Sequence, residues 1–267
     1  MDWVMLGIVL ALVFCVGFLF APLGLGGGIL FVPILHYVAG WAIGGELILT
    51  SLMLTAVVSW GSGLVHRKEG LIDFNVAKIA LSGAIPGAIL GAFIVSQLDD
   101  QLDFVFKVAT MLVVGWANYK TWKKMRPQKS SKSEPDEINI QTIPVRIGAG
   151  FGGLASSSLA IGAGAIYIPV LHQYGGLRSR TAIGTSFGTM MFVVPMAIIS
   201  HALFLQGQLP DLIWLFTLPI AVFVGATSGA RLGMRLNDEV ILKVFLGLLA
   251  IIFVRYAMDI GNRIISA

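Results

Sequence analysis

Hydrophobic and polar positions divide this chain into long apolar runs separated by short polar segments. A hydrocarbon core about 30 Å thick needs roughly 20 apolar residues for each helical span. Runs close to or above that length occupy residues 3–39, 46–65, 74–98, 104–122, 145–174, 181–205, 212–236 and 240–258. One segment rich in Pro, Ser and charge, KKMRPQKSSKSEPDEINIQT, separates the first four runs from the last four. The pattern predicts an all-α integral membrane protein of about eight to ten transmembrane segments.

The first run of each half is nearly twice the length of one span, and glycine-rich sequence interrupts it. APLGLGGG breaks residues 3–39, and SSSLAIGAG breaks residues 145–174. Glycine and proline at this density disfavour a continuous helix. We therefore predict a broken helix pair at 3–20 and 28–39, and a second at 145–156 and 164–174. Each half then contains about five helical elements.

The second half repeats the first. The first break and its following helix recur in order, with Gly26, Gly28, Pro33, Leu35 and His36 returning as Gly162, Gly164, Pro169, Leu171 and His172. The pair Thr50-Ser51 returns as Thr185-Ser186. An odd number of elements makes the second copy enter the membrane upside down. The sequence thus predicts two inverted-topology repeats, 1–122 and 144–267, joined by a cytoplasmic linker at 123–143.

Charge placement supports this topology. Only 12% of the residues are charged against 57% hydrophobic, and the formal net charge is +4. Under the positive-inside rule the basic residues mark the cytoplasmic side, and the predicted outer segments AGWAIGGE, QLDDQLD and HALFLQGQLPD contain no Lys or Arg. We predict a multi-pass inner-membrane protein with both termini outside and no nucleic-acid partner. Arg255 and Arg263, near the predicted outer C-terminus, conflict with the rule.

Paired broken helices in inverted repeats are typical of secondary transporters, whose substrate sites lie between the repeats. A helix that starts after a glycine-rich turn presents unpaired N–H groups and the positive end of its dipole to an anion. The predicted substrate-binding residues combine these turns with nearby hydroxyls: Gly26, Gly27, Gly28, Thr50, Ser51, Ser157, Ser158, Gly162, Gly164, Thr185 and Ser186. The alternative is that the glycines allow close helix crossing and that the hydroxyls bond to their own helices.

The four histidines form two repeat pairs. His36 and His172 are candidates for proton coupling because an intramembrane histidine is costly and titrates in the physiological range. The alternative is that they sit at the interface or cap carbonyl groups. His66 and His201 adjoin predicted loops and are weaker candidates. The single cysteine and the spacing of the histidines predict neither a metal nor a cofactor.

Two other functional classes fit the sequence less well. A passive anion channel would need a continuous polar lining, whereas the chain has short polar patches at the breaks. The segment Gly184-Thr185-Ser186-Phe187-Gly188 matches the G-x-S-x-G pattern of serine hydrolases, but that pattern requires a strand-to-helix turn. His201 lies about 22 Å from Ser186 along one helix at 1.5 Å per residue. No enzyme is predicted.

The glycine-rich breaks, the Thr-Ser pairs and the Gly-x3-Gly segments before LDD and LND resemble the sulfite exporter TauE/SafE family, also called TSUP, over essentially the whole chain. The resemblance implies a secondary transporter of sulfite, sulfoacetate or related sulfonates, usually an exporter. A homo-oligomer is a separate expectation. The second break departs from the first by carrying Ala163 in place of Gly27 and Ser158 in place of Pro22. The two breaks therefore need not bind equivalently.

Overall fold

A computed structural model describes residues 3–24, 26–125, 140–205, 211–233 and 238–266. Within these residues ten α-helices follow one another: α1 Trp3–Phe20, α2 Gly28–Pro33, α3 Gly45–Lys68, α4 Phe74–Ser96, α5 Leu102–Met125, α6 Thr142–Leu159, α7 Gly164–Gln173, α8 Ser179–Leu205, α9 Leu212–Gly233 and α10 Asp238–Ser266. Helix α2 continues into a π-helical turn, Ile34–Val38. A 3₁₀ turn, Asp99–Gln101, precedes α5.

The prediction of an all-α membrane protein is confirmed. Five helices of the described residues are long and apolar enough to cross a membrane: Trp3–Phe20, Gly45–Lys68, Phe74–Ser96, Ser179–Phe204 and Leu212–Leu232. Large apolar side chains such as Leu90, Phe93, Phe216 and Phe223 are exposed on the outer helices. Contiguous exposed apolar surface of this kind suits contact with lipid and not with water.

Helices α3 and α8 form the centre of the molecule. In their most apolar windows 72% and 67% of the residues are buried, against 33% in α1, α4 and α9. A helix that is buried on most sides needs apolar residues around its whole circumference, and its few polar side chains need partners. The Thr-Ser pairs lie in these two central helices.

Glycine ladders bring the peripheral helices together. A Cβ atom at Gly91 of α4 would lie 2.6 Å from the carbonyl oxygen of Leu154 in α6. Gly225 and Gly229 of α9 face the carbonyl groups of Phe14 and Phe18 of α1 in the same way. The pairs α4–α6 and α9–α1 are equivalent when the two halves are exchanged, and α5 packs on α10. These glycines therefore serve close helix packing, as small residues do between membrane helices.

Both helix breaks lie where the sequence predicts them, after Phe20 and before Gly164. Helix α6 extends to Leu159, beyond the predicted end at 156, because the serines there continue the helix. Most of the predicted linker at 123–143 lies outside the described residues, as do Leu25 and residues 206–210 of a predicted outer loop. Helices α5 and α6 reach into the two ends of the linker. The linker's cytoplasmic side and the outer position of both termini stay predictions.

Candidate functional site

The two breaks share one unusual backbone path. Three residues in each have positive φ, in the same order: Gly24, Gly26 and Gly27 at 73°, 76° and 75°, and Ala160, Gly162 and Ala163 at 51°, 75° and 49°. This left-handed region is open to glycine but costs other residues about 1–2 kcal/mol each. The second break is therefore strained at two alanines where the first has glycine.

The breaks cross each other in direct contact. A Cβ atom on Gly26 would lie 3.6 Å from the Cα atom of Gly162. A Cβ atom on Gly28 would lie 2.8 Å from the carbonyl carbon of Ile161, and it would be nearer still to the oxygen of Ala160. Only a hydrogen atom fits at Gly28. The glycines of the first break are thus required by the crossing as well as by the turn.

Each central helix binds the break of the other half through its serine. The Ser51 hydroxyl of α3 donates to the carbonyl oxygen of Ala160 at 3.2 Å, and the Ser186 hydroxyl of α8 lies 3.3 Å from the carbonyl oxygen of Gly24. Ser186 also donates to Ile183 of its own helix at 2.8 Å. Both serines are fully buried. The repeated Ser thus links α3 and α8 to opposite breaks.

Thr55 contributes a polar atom to the crossing that the sequence did not single out. Its Oγ1 atom lies 2.6 Å from the Cβ position of Gly28, is buried, and has no hydrogen-bond partner. Met190 stands four residues after Ser186, as Thr55 stands four residues after Ser51, and its sulfur lies 3.2 Å from the Cβ position of Gly26. Thr55 lies one helical turn after Ser51, so the spacing places both on the same face of α3 and could have indicated this position from the sequence.

The helices that start at the breaks lack side-chain caps. Gly27 precedes α2 and Ala163 precedes α7, both in the left-handed conformation and neither with a side-chain hydrogen bond to the helix. First-turn N–H groups without caps can bind an external acceptor, and the helix dipole favours an anion there. The crossing therefore places two uncapped helix starts and an unpartnered hydroxyl in one buried region.

Other predicted residues form hydrogen bonds away from the crossing. Thr50 donates to Glu46 of its own helix at 2.8 Å. Thr185 accepts the backbone N–H of Asp73 at 2.9 Å, which helps to fix the start of α4. Ser158 lies 3.4 Å from the Gly91 carbonyl. Gly27 faces side chains of its own half, and Gly164 begins α7.

The histidines divide into two structural kinds. The Nδ1 atoms of His36 and His172 each bind the carbonyl oxygen five residues later, at Trp41 and Leu177, over 2.7 and 2.6 Å. A carbonyl only accepts, so each Nδ1 carries the hydrogen and closes the turn after its short helix. His66 and His201 lie near the ends of α3 and α8, next to the predicted loops, and both are buried.

His201 is bound to α6 at the last turn before the second break. Its Nε2 atom lies 2.9 Å from the Ser157 carbonyl oxygen and 3.2 Å from the Ser157 hydroxyl. Because the carbonyl accepts, Nε2 carries a hydrogen and is not free to take the hydroxyl proton, as a serine hydrolase would require. Ser186 points its hydroxyl at two carbonyl groups instead.

A charged cluster joins the end of the first broken pair to α5 and α10. The Tyr37 hydroxyl donates to Asp259 at 2.8 Å, and Lys107 lies 3.3 Å from Asp259. The remaining contacts are Lys107 with Asp103 at 3.0 Å, Arg263 with Asp103 at 3.4 Å, and Arg255 over the Tyr37 ring at 4.8 Å. The two arginines that conflict with the positive-inside rule thus have partners within the protein.

Comparison with known proteins supplies an independent line of evidence. A family model described as Sulfite exporter TauE/SafE matches residues 9–256. A probable membrane transporter protein of Bacillus subtilis, YunE, is 26% identical over 87% of this chain and 88% of its own length. A probable membrane transporter protein of Xylella fastidiosa is 28% identical over 83% of this chain and 80% of its own. No solved structure matches the chain.

Proposed function

The chain is a membrane transporter that belongs to the sulfite exporter TauE/SafE family, and on that premise we propose that it exports small sulfur oxyanions, namely sulfite, sulfoacetate or related sulfonates, by alternating access. The observation that carries the proposal is the crossing of the two breaks. Uncapped starts of α2 and α7 and the unpartnered Thr55 hydroxyl meet there. Transporter binding sites lie at such discontinuous helices between repeats.

The chemistry of the crossing suits a small oxyanion. A sulfite or sulfonate group presents three oxygen atoms, each able to accept hydrogen bonds from backbone N–H groups and hydroxyls. Glycine at positions 26, 28, 162 and 164 lets such a group approach the backbone closely. Thr55 adds an unpartnered hydroxyl within this region, and separation of the breaks would release the Ser51 and Ser186 hydroxyls from the carbonyl groups they bind here. Binding without an arginine would be weak enough to permit release.

Because the breaks touch in this conformation, substrate entry requires them to separate. Gly28 has no space for a methyl group, so an anion cannot lie between Gly28 and Ala160 until one half moves. Helix α4 packs on α6, and the corresponding helix of the second half, α9, packs on α1. This correspondence supports two related repeats. Inverted repeats would then give two packings of similar free energy, one open to each side.

Several finer predictions belong to the same proposal. We place the protein in the inner membrane, with 123–143 as a cytoplasmic linker between repeats at 1–122 and 144–267, and with both termini outside. Replacing Cys15 and labelling a terminal cysteine from outside tests this orientation. Thr50, Ser157, Ser158 and Thr185 stay predicted substrate contacts, and His36 and His172 stay predicted proton-coupling residues. Assembly into a homo-oligomer also stays a prediction.

The experiment is counterflow in liposomes containing the purified protein. Unlabelled sulfite or sulfoacetate inside should accelerate entry of the ³⁵S-labelled anion outside. Thr55→Val removes the hydroxyl at the crossing and keeps the side-chain shape. A hydrogen bond to a charged group contributes about 1.5–3 kcal/mol, so the half-saturating concentration should rise about 10- to 150-fold.

Thr110→Val is the matched control. Thr110 of α5 is also buried with an unpartnered Oγ1, so both variants lose the same kind of group. The half-saturating substrate concentration of Thr110→Val should stay within twofold of the value for the unsubstituted protein. Dissipation of the gradient without counterflow would indicate a channel, and absence of movement of every sulfur oxyanion would refute the substrate class. Equal affinity in the two variants would refute the position of the site.

A further inference from the structure

We infer that His201 binds the proton that is transported together with the anion, an inference that rests on the proposed function. Its ring is fully buried, and Nδ1 has no hydrogen-bond partner. With the hydrogen held at Nε2 by the Ser157 carbonyl, Nδ1 is a bare acceptor. A buried acceptor without a donor is uncommon in folded proteins and calls for a physical explanation.

Polar groups in the last turn of α6 contact the His201 ring. The carbonyl of Ser157 belongs to the last turn of α6, which ends at Leu159. The last four carbonyl groups of a helix lack partners within it and form the negative end of the dipole, where a charged histidine is stabilised. Ser156 and Ser157 of the same turn are fully buried, and the Ser156 hydroxyl has no partner. A protonated His201 ring would thus lie beside carbonyl groups at the negative end of the α6 dipole.

Within the described part of the chain, no charged side chain contributes to the electrostatic environment of the His201 ring. Burial without a counter-charge disfavours a protonated imidazole, so we expect His201 to hold its proton mainly while the anion is bound. On the helices packed around His201, the charged residues at the far ends are Arg67 and Lys68 of α3, Lys78 of α4 with its capping residue Asp73, Arg146 of α6 and Arg180 of α8. Exposed acids at the near ends are Glu46 of α3 and Asp100 after α4. Protonation would therefore change the local charge from zero to +1.

This position couples the proton to the anion. Ser157 precedes Ala160 by three residues, and Ala160 contacts Gly28 and accepts the Ser51 hydroxyl. A positive charge at the end of α6 attracts an anion at the crossing, so each ligand raises the affinity for the other, as reciprocal linkage requires. Proton and anion then move in the same direction, so export is driven by the outward gradient of the anion, and accumulation from an acidic exterior is the same step in reverse. His66, the repeat equivalent, binds a carbonyl of its own helix through Nδ1 and leaves no buried atom unpartnered.

His201→Gln tests the assignment, because the glutamine amide can still donate to Ser157 but cannot titrate. Liposomes are clamped to zero membrane potential with an acidic exterior. ³⁵S-sulfoacetate is the probe, since its sulfonate stays ionised while sulfite itself titrates near neutrality. The unsubstituted protein should accumulate sulfoacetate and acidify the lumen, as read by a trapped pH dye. His201→Gln should accumulate at least tenfold less sulfoacetate and should retain counterflow at equal pH. His66→Gln should retain both accumulation and counterflow.

Accumulation by His201→Gln equal to that of the unsubstituted protein would overturn the assignment. A second measurement does not depend on transport: ¹⁵N-histidine spectra of the protein in nanodiscs, with the His201 signal identified by its loss in His201→Gln. The chain has four histidines, so its ¹⁵N-histidine spectrum contains few signals to assign. Nδ1 should gain a proton as the pH falls, and added sulfoacetate should raise the pH at which this happens. Failure to gain it refutes the proton site, whereas titration without any sulfoacetate movement refutes the proposed function alone.

Discussion

The substitution Gly28→Ala tests whether the two breaks cross in contact. The new methyl group would lie 2.6 Å from Thr55 Oγ1 and 2.8 Å from the Ile161 carbonyl carbon, where ordinary contact begins at 3.4 Å. The Ala160 oxygen, which is nearer still, is backbone and is held by Ser51. A side-chain rotation therefore cannot relieve the clash. The breaks would have to separate by a substantial fraction of an ångström.

Overpacking of this kind costs about 1–3 kcal/mol. For a chain of this size we expect the thermal midpoint in detergent to fall by roughly 2–4 °C for each kcal/mol. If closure of the crossing is an obligatory step of transport, the same cost slows counterflow by a factor of roughly 5 to 150. Intrinsic fluorescence on heating and the sulfoacetate counterflow assay measure the two effects.

Gly7→Ala in α1 is the control, because nothing lies within 4 Å of a Cβ atom there. This variant should match the unsubstituted protein or gain stability from the higher helix propensity of alanine, which is worth about 1 kcal/mol. If Gly28→Ala behaves like Gly7→Ala in both assays, the crossing is not in contact and the site argued from it is wrong.

Four further substitutions have defined outcomes. Ser51→Ala and Ser186→Ala should each lower stability by about 1–3 kcal/mol, because each leaves a break carbonyl without its donor, and thermal midpoints of the single and double variants would reveal this. Ala163→Gly should raise the midpoint, since relief of about 1–2 kcal/mol of left-handed strain exceeds a glycine entropy cost of about 0.4–1 kcal/mol; a lower midpoint would contradict the strain. Tyr37→Phe, which keeps the ring and loses the bond to Asp259, should cost about 1 kcal/mol, and an unchanged midpoint would contradict a stabilising role for that bond.

The helices and both breaks could be predicted because apolar run length and glycine density act locally along the chain. Run length sets the spans, and the glycines of the first break stand at the positions that need positive φ. The positive φ at Ala160 and Ala163 could not be inferred from residue type, since alanine favours a helix. It follows from the repeat alone, in which these alanines take the places of Gly24 and Gly27.

The partners of the predicted polar residues depended on three-dimensional packing. Ser51 and Thr50 are neighbours in sequence, yet Ser51 binds the opposite break while Thr50 bonds back to its own helix. A helix turns about 100° per residue, so adjacent side chains face different neighbours. The same geometry brings Thr55, one turn after Ser51, to the crossing. The sequence places His201 next to a loop but cannot show that its ring is buried against α6.

The side chains at the crossing differ between halves whose backbones correspond, and this difference has a consequence for the transport cycle. Strictly identical inverted repeats would give two exchanged packings of equal free energy. Here Thr55 is matched by Met190, and Ala160 and Ala163 take the places of glycines. Each 1.4 kcal/mol of difference shifts the ratio of two states about tenfold, so strain at two alanines in one packing alone would strongly favour the other packing in the cycle we propose. Relief of that strain by anion and proton at the second break would then couple binding to the change of access.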